Sequence, residues 1–167
     1  MSGTKVRIID YDRRAPLHKE RFAALNREWL ERYFVVEPLD EEVMGDPEGA
    51  VLEAGGLIVM AEVDGEIVGT GSLFLVDDGV FEIAKMAVTD RFQGRGIGEQ
   101  LLLALIARAE AMGAHRLFIV SNTSLGRAIR LYRRHGFIDS PEIRHAHYAR
   151  GNITLEKPLL DRKAKAG

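Results

Sequence analysis

The chain has 167 residues, enough for one domain with a sizeable core, and its 46% hydrophobic and 29% charged residues are ordinary for a globular protein. It contains no cysteine, which excludes disulfides, thiolate metal sites and cysteine nucleophiles and fits a cytoplasmic setting. The formal net charge of -2 conceals an asymmetry: residues 1–90 carry 9 Lys/Arg against 19 Asp/Glu, whereas residues 91–150 carry 10 against 4.

A basic half of this kind attracts a polyanionic ligand, and an acidic half favours a cationic one such as an amine. The richest apolar run, Leu101 to Ala107, is far too short to span a membrane, and Met1 to Lys5 leads into no apolar signal segment. No nucleic-acid partner is expected, because the basic residues are not interleaved with a stacking platform of aromatics.

Val6, Ile8 and Ile9 make Lys5 to Asp10 a short strand. Pro16 opens a helix in which Phe22, Leu25, Trp29 and Tyr33 recur at helical spacing, with Leu30 and Phe34 beside them. Pro38 is expected to stop that helix, and Asp40 to cap a second, short one over Glu41 to Met44. Leu57 to Val63 and Glu66 to Val76 are β-rich and joined by Asp64-Gly65, a strong hairpin signal. Asp77-Asp78-Gly79 turns the chain into a third strand, Val80 to Val88.

A second long helix follows from Glu99 to Met112, ended by Gly113. Arg116 to Val120 is nearly all apolar, as expected of a strand buried on both faces in a parallel unit. Ser124 is the expected cap of a helix over Leu125 to His135, which Gly136 terminates. Phe137 starts a further strand, Ser140 to His147 reads as a loop, and Tyr148 to Glu156 as the last strand. The expectation is one domain over residues 1–160 with a flexible tail at 161–167.

Between the third strand and the second long helix lies Gln93-Gly94-Arg95-Gly96-Ile97-Gly98. A strand, a glycine-rich turn and a helix aim unpaired backbone N–H groups and the positive end of a helix dipole at an anion. The loop is not a Walker loop, since Glu99-Gln100 follows the last glycine, and its third glycine comes one place early for a dinucleotide fingerprint. It does fit Q/R-x-x-G-x-G/A through Gln93, Gly96 and Gly98. Here the chain resembles the GNAT superfamily of N-acetyltransferases, whose pyrophosphate loop for acetyl-CoA has that pattern. Leu131-Tyr132-Arg133-Arg134-His135-Gly136-Phe137 also resembles the family's L-Y-x-x-x-G-F signature, and the order of elements matches over essentially the whole chain. The family often has Asn three residues before the Ala of the following helix; that place, before Ala128, is Leu125 here, with Asn122 as the available substitute.

The resemblance implies an α/β (α+β) fold of GNAT type. Its sheet is mixed, mostly antiparallel and splayed between strands 4 and 5, with about four flanking helices. It implies acetyl-CoA as cosubstrate, with the pantetheine arm along Met86, Ala87 and Val88 and the pyrophosphate on the amides of Gln93, Gly94, Arg95, Gly96, Ile97 and Gly98. A backbone N–H near Met86 to Val88 would serve the oxyanion. Acetyl transfer to an amine needs a proton acceptor for the attacking nitrogen and a proton donor for the leaving thiolate. Glu82, fourteen residues before Gly96, matches the catalytic glutamate of the histone acetyltransferase branch, and Tyr132 matches the signature tyrosine near the sulfur. Strand alternation places Glu82, Ala84, Met86 and Val88 on one face unless a bulge intervenes.

The acceptor is expected to be a primary amine of a small molecule or amino acid, walled by Trp29, Tyr33, Phe34 and Tyr148, with Glu37 or Glu82 as ammonium partner. A protein N-terminus or lysine as acceptor, and a non-catalytic acyl-CoA-binding module, are the alternatives. His145 and His147 share a loop, but two histidines without a placed carboxylate are weak metal spacing, and no metal is expected. The resemblance is compatible with a monomer or a homodimer.

Overall fold

The computed structural model describes residues 5–141 and 148–159. The expected tail at 161–167, and His145 and His147, lie outside them. In chain order the elements are β1 (Val6–Asp10), α1 (Pro16–Tyr33), α2 (Pro38–Gly45), a π-helical turn (Glu48–Leu52), β2 (Leu57–Val63), β3 (Glu66–Asp77) and β4 (Val80–Val88). There follow a 3₁₀ turn (Asp90–Phe92), α3 (Ile97–Ala111), β5 (Arg116–Ser121), α4 (Gly126–Arg134), β6 (Ile138–Asp139) and β7 (Ile153–Pro158). The strands form one sheet in the order β1-β2-β3-β4-β5-β7-β6, antiparallel throughout except for the parallel pair β4–β5. This is the mixed, mostly antiparallel sheet implied by the resemblance.

Four local expectations are corrected. Pro38 does not end α1, which stops at Tyr33; it opens α2, where a missing N–H leaves no intrahelical bond unmade. Asp40 is therefore not a cap but the third residue of α2, and its Oδ2 accepts the Glu37 N–H at 2.9 Å. Ser124 does not cap α4, since its own N–H is held by Asn122 Oδ1 at 2.8 Å and Leu125 occupies the cap position. Tyr148 to Asn152 is a turn closed by Gly151 N–H on the Tyr148 carbonyl at 3.2 Å, so the last strand begins only at Ile153.

Each face of the sheet has its own core. On one side α3 buries Leu101, Leu102, Leu105 and Ala109 against Val59, Leu73, Phe81 and Ile83. The helix comes so close that a Cβ on Gly71 of β3 would lie 2.9 Å from Leu105 Cδ1. On the other side α1 buries Phe22 and Leu25 against Ile58, Met60 and Ala87. Full burial of such aliphatic and aromatic side chains contributes ~1.5–3 kcal/mol each, which fixes the helices to the sheet.

Two irregularities of β4 shape the surface beside it. Its pairing with β5 runs only from Val80↔Arg116 to Glu82↔Phe118; beyond that the two strands part, while β5 stays paired with β7 along its other edge from Arg116 to Ser121. Its register with β3 then slips, Ser72 facing Ala84 while Thr70 faces Ala87, so that Lys85 and Met86 together oppose Gly71. Lys85 sits in the left-handed region at φ 53. The bulge inverts the alternation: Phe81 and Ile83 belong to the α3 core before it, and Met86 and Val88 pack on that same core after it. Glu82 and Ala84 therefore do not share a face with Met86 and Val88. They face the α1 side instead.

Candidate active site

The parting of β4 and β5 opens a cleft of about 730 Å³. Its walls are Glu82 to Val88 of β4, Ile119 to Ser121 of β5, the glycine loop, the start of α4 and the aromatic end of α1. From Ile83 to Val88 the β5 side of β4 has no strand partner among the described residues, leaving room for a ligand to lie along it as an added strand would.

One end of the cleft is built for an anion. Gly94 and Gly96 are left-handed at φ 76 and φ 79, and Gly96 leads the chain directly into α3. The backbone N–H groups of residues 94–99 donate to no described residue. Gln93 departs from the expectation, because its N–H already bonds the Asp90 carbonyl at 3.1 Å. Its side chain ties the loop to the strand instead, donating to the Val88 carbonyl at 3.0 Å. The start of α4 lines the same cleft, so Gly126, Arg127 and Ala128 present a second helix N-terminus to it. Arg95 packs its guanidinium on the Phe92 ring, 4.8 Å from the centroid, next to this loop. Asn122 also lines the cleft, but its side chain is spent on structure: Nδ2 donates to the Arg150 carbonyl at 2.7 Å and Oδ1 holds Ser124. A pyrophosphate fits this end, through free amides rather than side chains. Gly96→Ala forces an L-residue into the left-handed region at about 1–2 kcal/mol, so acetyl-CoA affinity measured by calorimetry should fall roughly five- to thirty-fold.

Two titratable candidates line the cleft, Glu82 and Tyr132. Glu82 accepts no hydrogen bond and makes no ion pair among the described residues. Burial pushes its carboxyl up to about 7, with the Lys85 charge opposing the rise. Tyr132 enters from α4, its ring edge-on to Phe137 at 6.2 Å, and its hydroxyl has no partner among the described residues. Burial raises that hydroxyl to about 12, so it keeps its proton at any ordinary pH.

A further part of the lining is aromatic and charged. Trp29 contacts Tyr33 and Phe34 with ring centroids 5.5 and 5.6 Å away, and all three line the cleft with Tyr148. Four charged residues that the sequence did not bring together meet here. Asp40, from α2, forms an ion pair with Lys85 and a bidentate one with Arg150 at 2.7 and 2.8 Å. Burial by itself would raise the Asp40 carboxyl, but hydrogen bonds from Arg150, Lys85 and the Glu37 N–H outweigh it and bring it down to about 2. Glu37 is already engaged, with Arg150 Nη1 at 3.2 Å and the Ala149 N–H at 3.3 Å, which leaves Glu82 as the unpaired carboxylate of the two proposed ammonium partners. The signal for Lys85 was present in the sequence as a break in the apolar alternation of β4, which is what a bulge leaves behind. Nothing local marked Asp40 or Arg150 as its partners. Among the described residues no group of three or more His, Asp or Glu could hold a metal ion, and no helix is long and apolar enough to cross a membrane.

The acetyltransferase (GNAT) family model matches residues 15–137, and the chain belongs to that family. It is 36% identical over 106 residues to the amino-acid acetyltransferase of Ralstonia nicotianae, a match spanning 59% of this chain but only 23% of that protein. The crystal structure of a GNAT-family acetyltransferase from Staphylococcus aureus Mu50 superposes with a TM-score of 0.82 at 20% identity, over 93% of this chain and 100% of that one. A GNAT-family acetyltransferase from Elizabethkingia anophelis, solved with acetyl-CoA bound, gives a TM-score of 0.63 at 24% identity, over 92% and 98% of the two chains.

Proposed function

We propose that the protein is an acetyl-CoA-dependent N-acetyltransferase that acts by direct attack of a primary amine, on a small molecule or amino acid. The observation that carries this reading is Glu82: a desolvated, unpaired carboxyl near neutrality, in a cleft that a row of free amides also lines. A module that only bound acyl-CoA would gain nothing from such a group, which costs stability whenever it ionises.

When bound, acetyl-CoA supplies an activated acyl carbon and a thiolate leaving group. The amides of residues 94–99 hold the diphosphate, and the unpartnered edge of β4 holds the arm that joins it to the thioester. Glu82 takes a proton from the incoming ammonium, and Trp29, Tyr33, Phe34 and Tyr148 exclude water around it. A β4 backbone N–H near Met86 to Val88 faces the developing negative oxygen. The Tyr132 hydroxyl, protonated throughout, gives its proton to the departing sulfur.

A panel of amines and amino acids with acetyl-CoA, read out as thiol release and acetylated product, tests the proposal. Product with at least one amine supports it; CoA binding without turnover of any amine would favour the binding module. Tyr132→Phe is expected to lower kcat about a hundredfold or more with little change in acetyl-CoA affinity, and equal kinetics would remove the tyrosine from this role.

A further inference from the structure

Asp40 has no exposed side-chain surface and takes donors from three parts of the chain: Lys85 Nζ from the β4 bulge, Arg150 from the turn before β7, and the Glu37 N–H from the start of α2. Lys85 completes its surroundings with the Tyr148 hydroxyl at 3.2 Å and lies 4.6 Å from the centre of that ring. Its side chain is 6% exposed, and its backbone holds a left-handed conformation that costs a residue with a side chain about 1–3 kcal/mol. Such strain persists only where the surroundings impose it. A pair whose sole task was to fasten α2 to β4 could be replaced by apolar packing at no loss.

Resting on the reading of Glu82 as proton acceptor, we propose that Lys85 is a positioning residue of the reaction: the bulge and Asp40 hold its side chain in the wall of the cleft that Glu82 also lines, three residues away on the same strand, and its charge sets the pH at which that carboxylate takes the acceptor's proton. The surroundings of Glu82 make Lys85 the charge that counts. The residues opposite it in register on β3 and β5 are Phe74 and Phe118. From α2, the charge of Asp40 is taken up by Lys85 and Arg150, and Glu37 is taken up by Arg150. From the turn before β7 come Arg150, committed to those two acids, and Tyr148, whose hydroxyl burial drives further up and so keeps neutral. The helices α1 and α4 add the phenols of Tyr33 and Tyr132 to the cleft; α4 also brings Arg127, Arg130 and Arg134, the last paired with Glu99 of α3, and of all these cations Lys85 is the one whose charge bears on Glu82. Burial raises the Glu82 carboxyl, and Lys85 is the cation that pulls it back. Burial likewise lowers the Lys85 ammonium, with Asp40 opposing it.

The test is kcat/KM against pH for the parent and for Lys85→Met, Lys85→Gln, Lys85→Arg and Tyr148→Phe, with Glu82→Gln as reference. Removal of the cation in the Met and Gln variants is expected to move the acid-limb midpoint up by about one unit, and the Arg variant to leave it in place. Tyr148→Phe, which removes a hydrogen bond from Lys85 but not its charge, must also leave it in place. A Met or Gln variant that loses rate evenly at every pH, or a shift in Tyr148→Phe, overturns the proposal, and the latter result stands even if neither neutral variant folds. If the acid limb survives in Glu82→Gln, the assignment of the base fails and the inference falls with it. If that limb disappears while Lys85→Gln leaves the midpoint unmoved, the inference alone fails.

Discussion

Glu82→Gln lowers kcat/KM for amine acetylation by about two to four orders of magnitude while acetyl-CoA affinity is kept. The size follows from removing the proposed proton acceptor alone, since the proposed diphosphate site consists of backbone amides. In the parent, Glu82 must be ionised to accept a proton, so kcat/KM should rise with pH through about 7, and the rise should vanish in the Gln variant. Stability moves the opposite way. With the folded carboxyl at about 7 and its ordinary value at 4.5, the folded state holds a proton that the unfolded chain has lost between those pH values. Parent stability therefore falls as pH rises through this window, and Glu82→Gln should melt above the parent at pH of about 8 but not at about 4. Thermal melts at the two pH values, together with the rate profile, separate a poised base from a merely exposed glutamate. No gain in melting temperature at the higher pH would mean that the carboxylate is well solvated after all.

Asp40→Ala should destabilise the fold by about 3–5 kcal/mol, because it leaves the buried Lys85 ammonium without its counter-charge and half-buried Arg150 with Glu37 alone. Urea unfolding at neutral pH measures this. The sign with pH is fixed by the direction of its shift: Asp40 titrates at about 2 in the folded protein against an ordinary 3.8, so its contribution is complete above the ordinary value and is lost as pH falls through about 2. The difference between parent and Asp40→Ala should accordingly narrow in acid. A loss no larger than that of an exposed ion pair would show that α2, the bulge and the turn before β7 hold together without it.

Much of this was legible from local chemistry. The Asp64-Gly65 hairpin, the Val80 to Val88 strand and the Pro16 start of α1 stand where turn residues and alternation place them. The glycine loop could be read because its function is a backbone function, encoded in which positions tolerate positive φ. Boundaries set by tertiary bonds were less visible: Asp40 looks like a helix cap in sequence, but its partners are Arg150, more than a hundred residues later, and Lys85. The bulge on β4 was hidden for a related reason. Alternation assumes an unbroken register, and only the pairing of Ser72 with Ala84 and Thr70 with Ala87 shows where it slips. The wall residues Trp29, Tyr33 and Phe34 were found because an aromatic stripe at helical spacing must face something, and here its last turn faces the cleft while Phe22 and Leu25 face the core.

Titration of the full chain with coenzyme A in a calorimeter goes most directly to the central claim, that the amides of residues 94–99 hold a diphosphate beside the parted strands. A one-to-one isotherm, weakened in Gly96→Ala and unchanged in Glu82→Gln, is the predicted result. No heat of binding up to millimolar coenzyme A, or binding indifferent to Gly96→Ala, would contradict it.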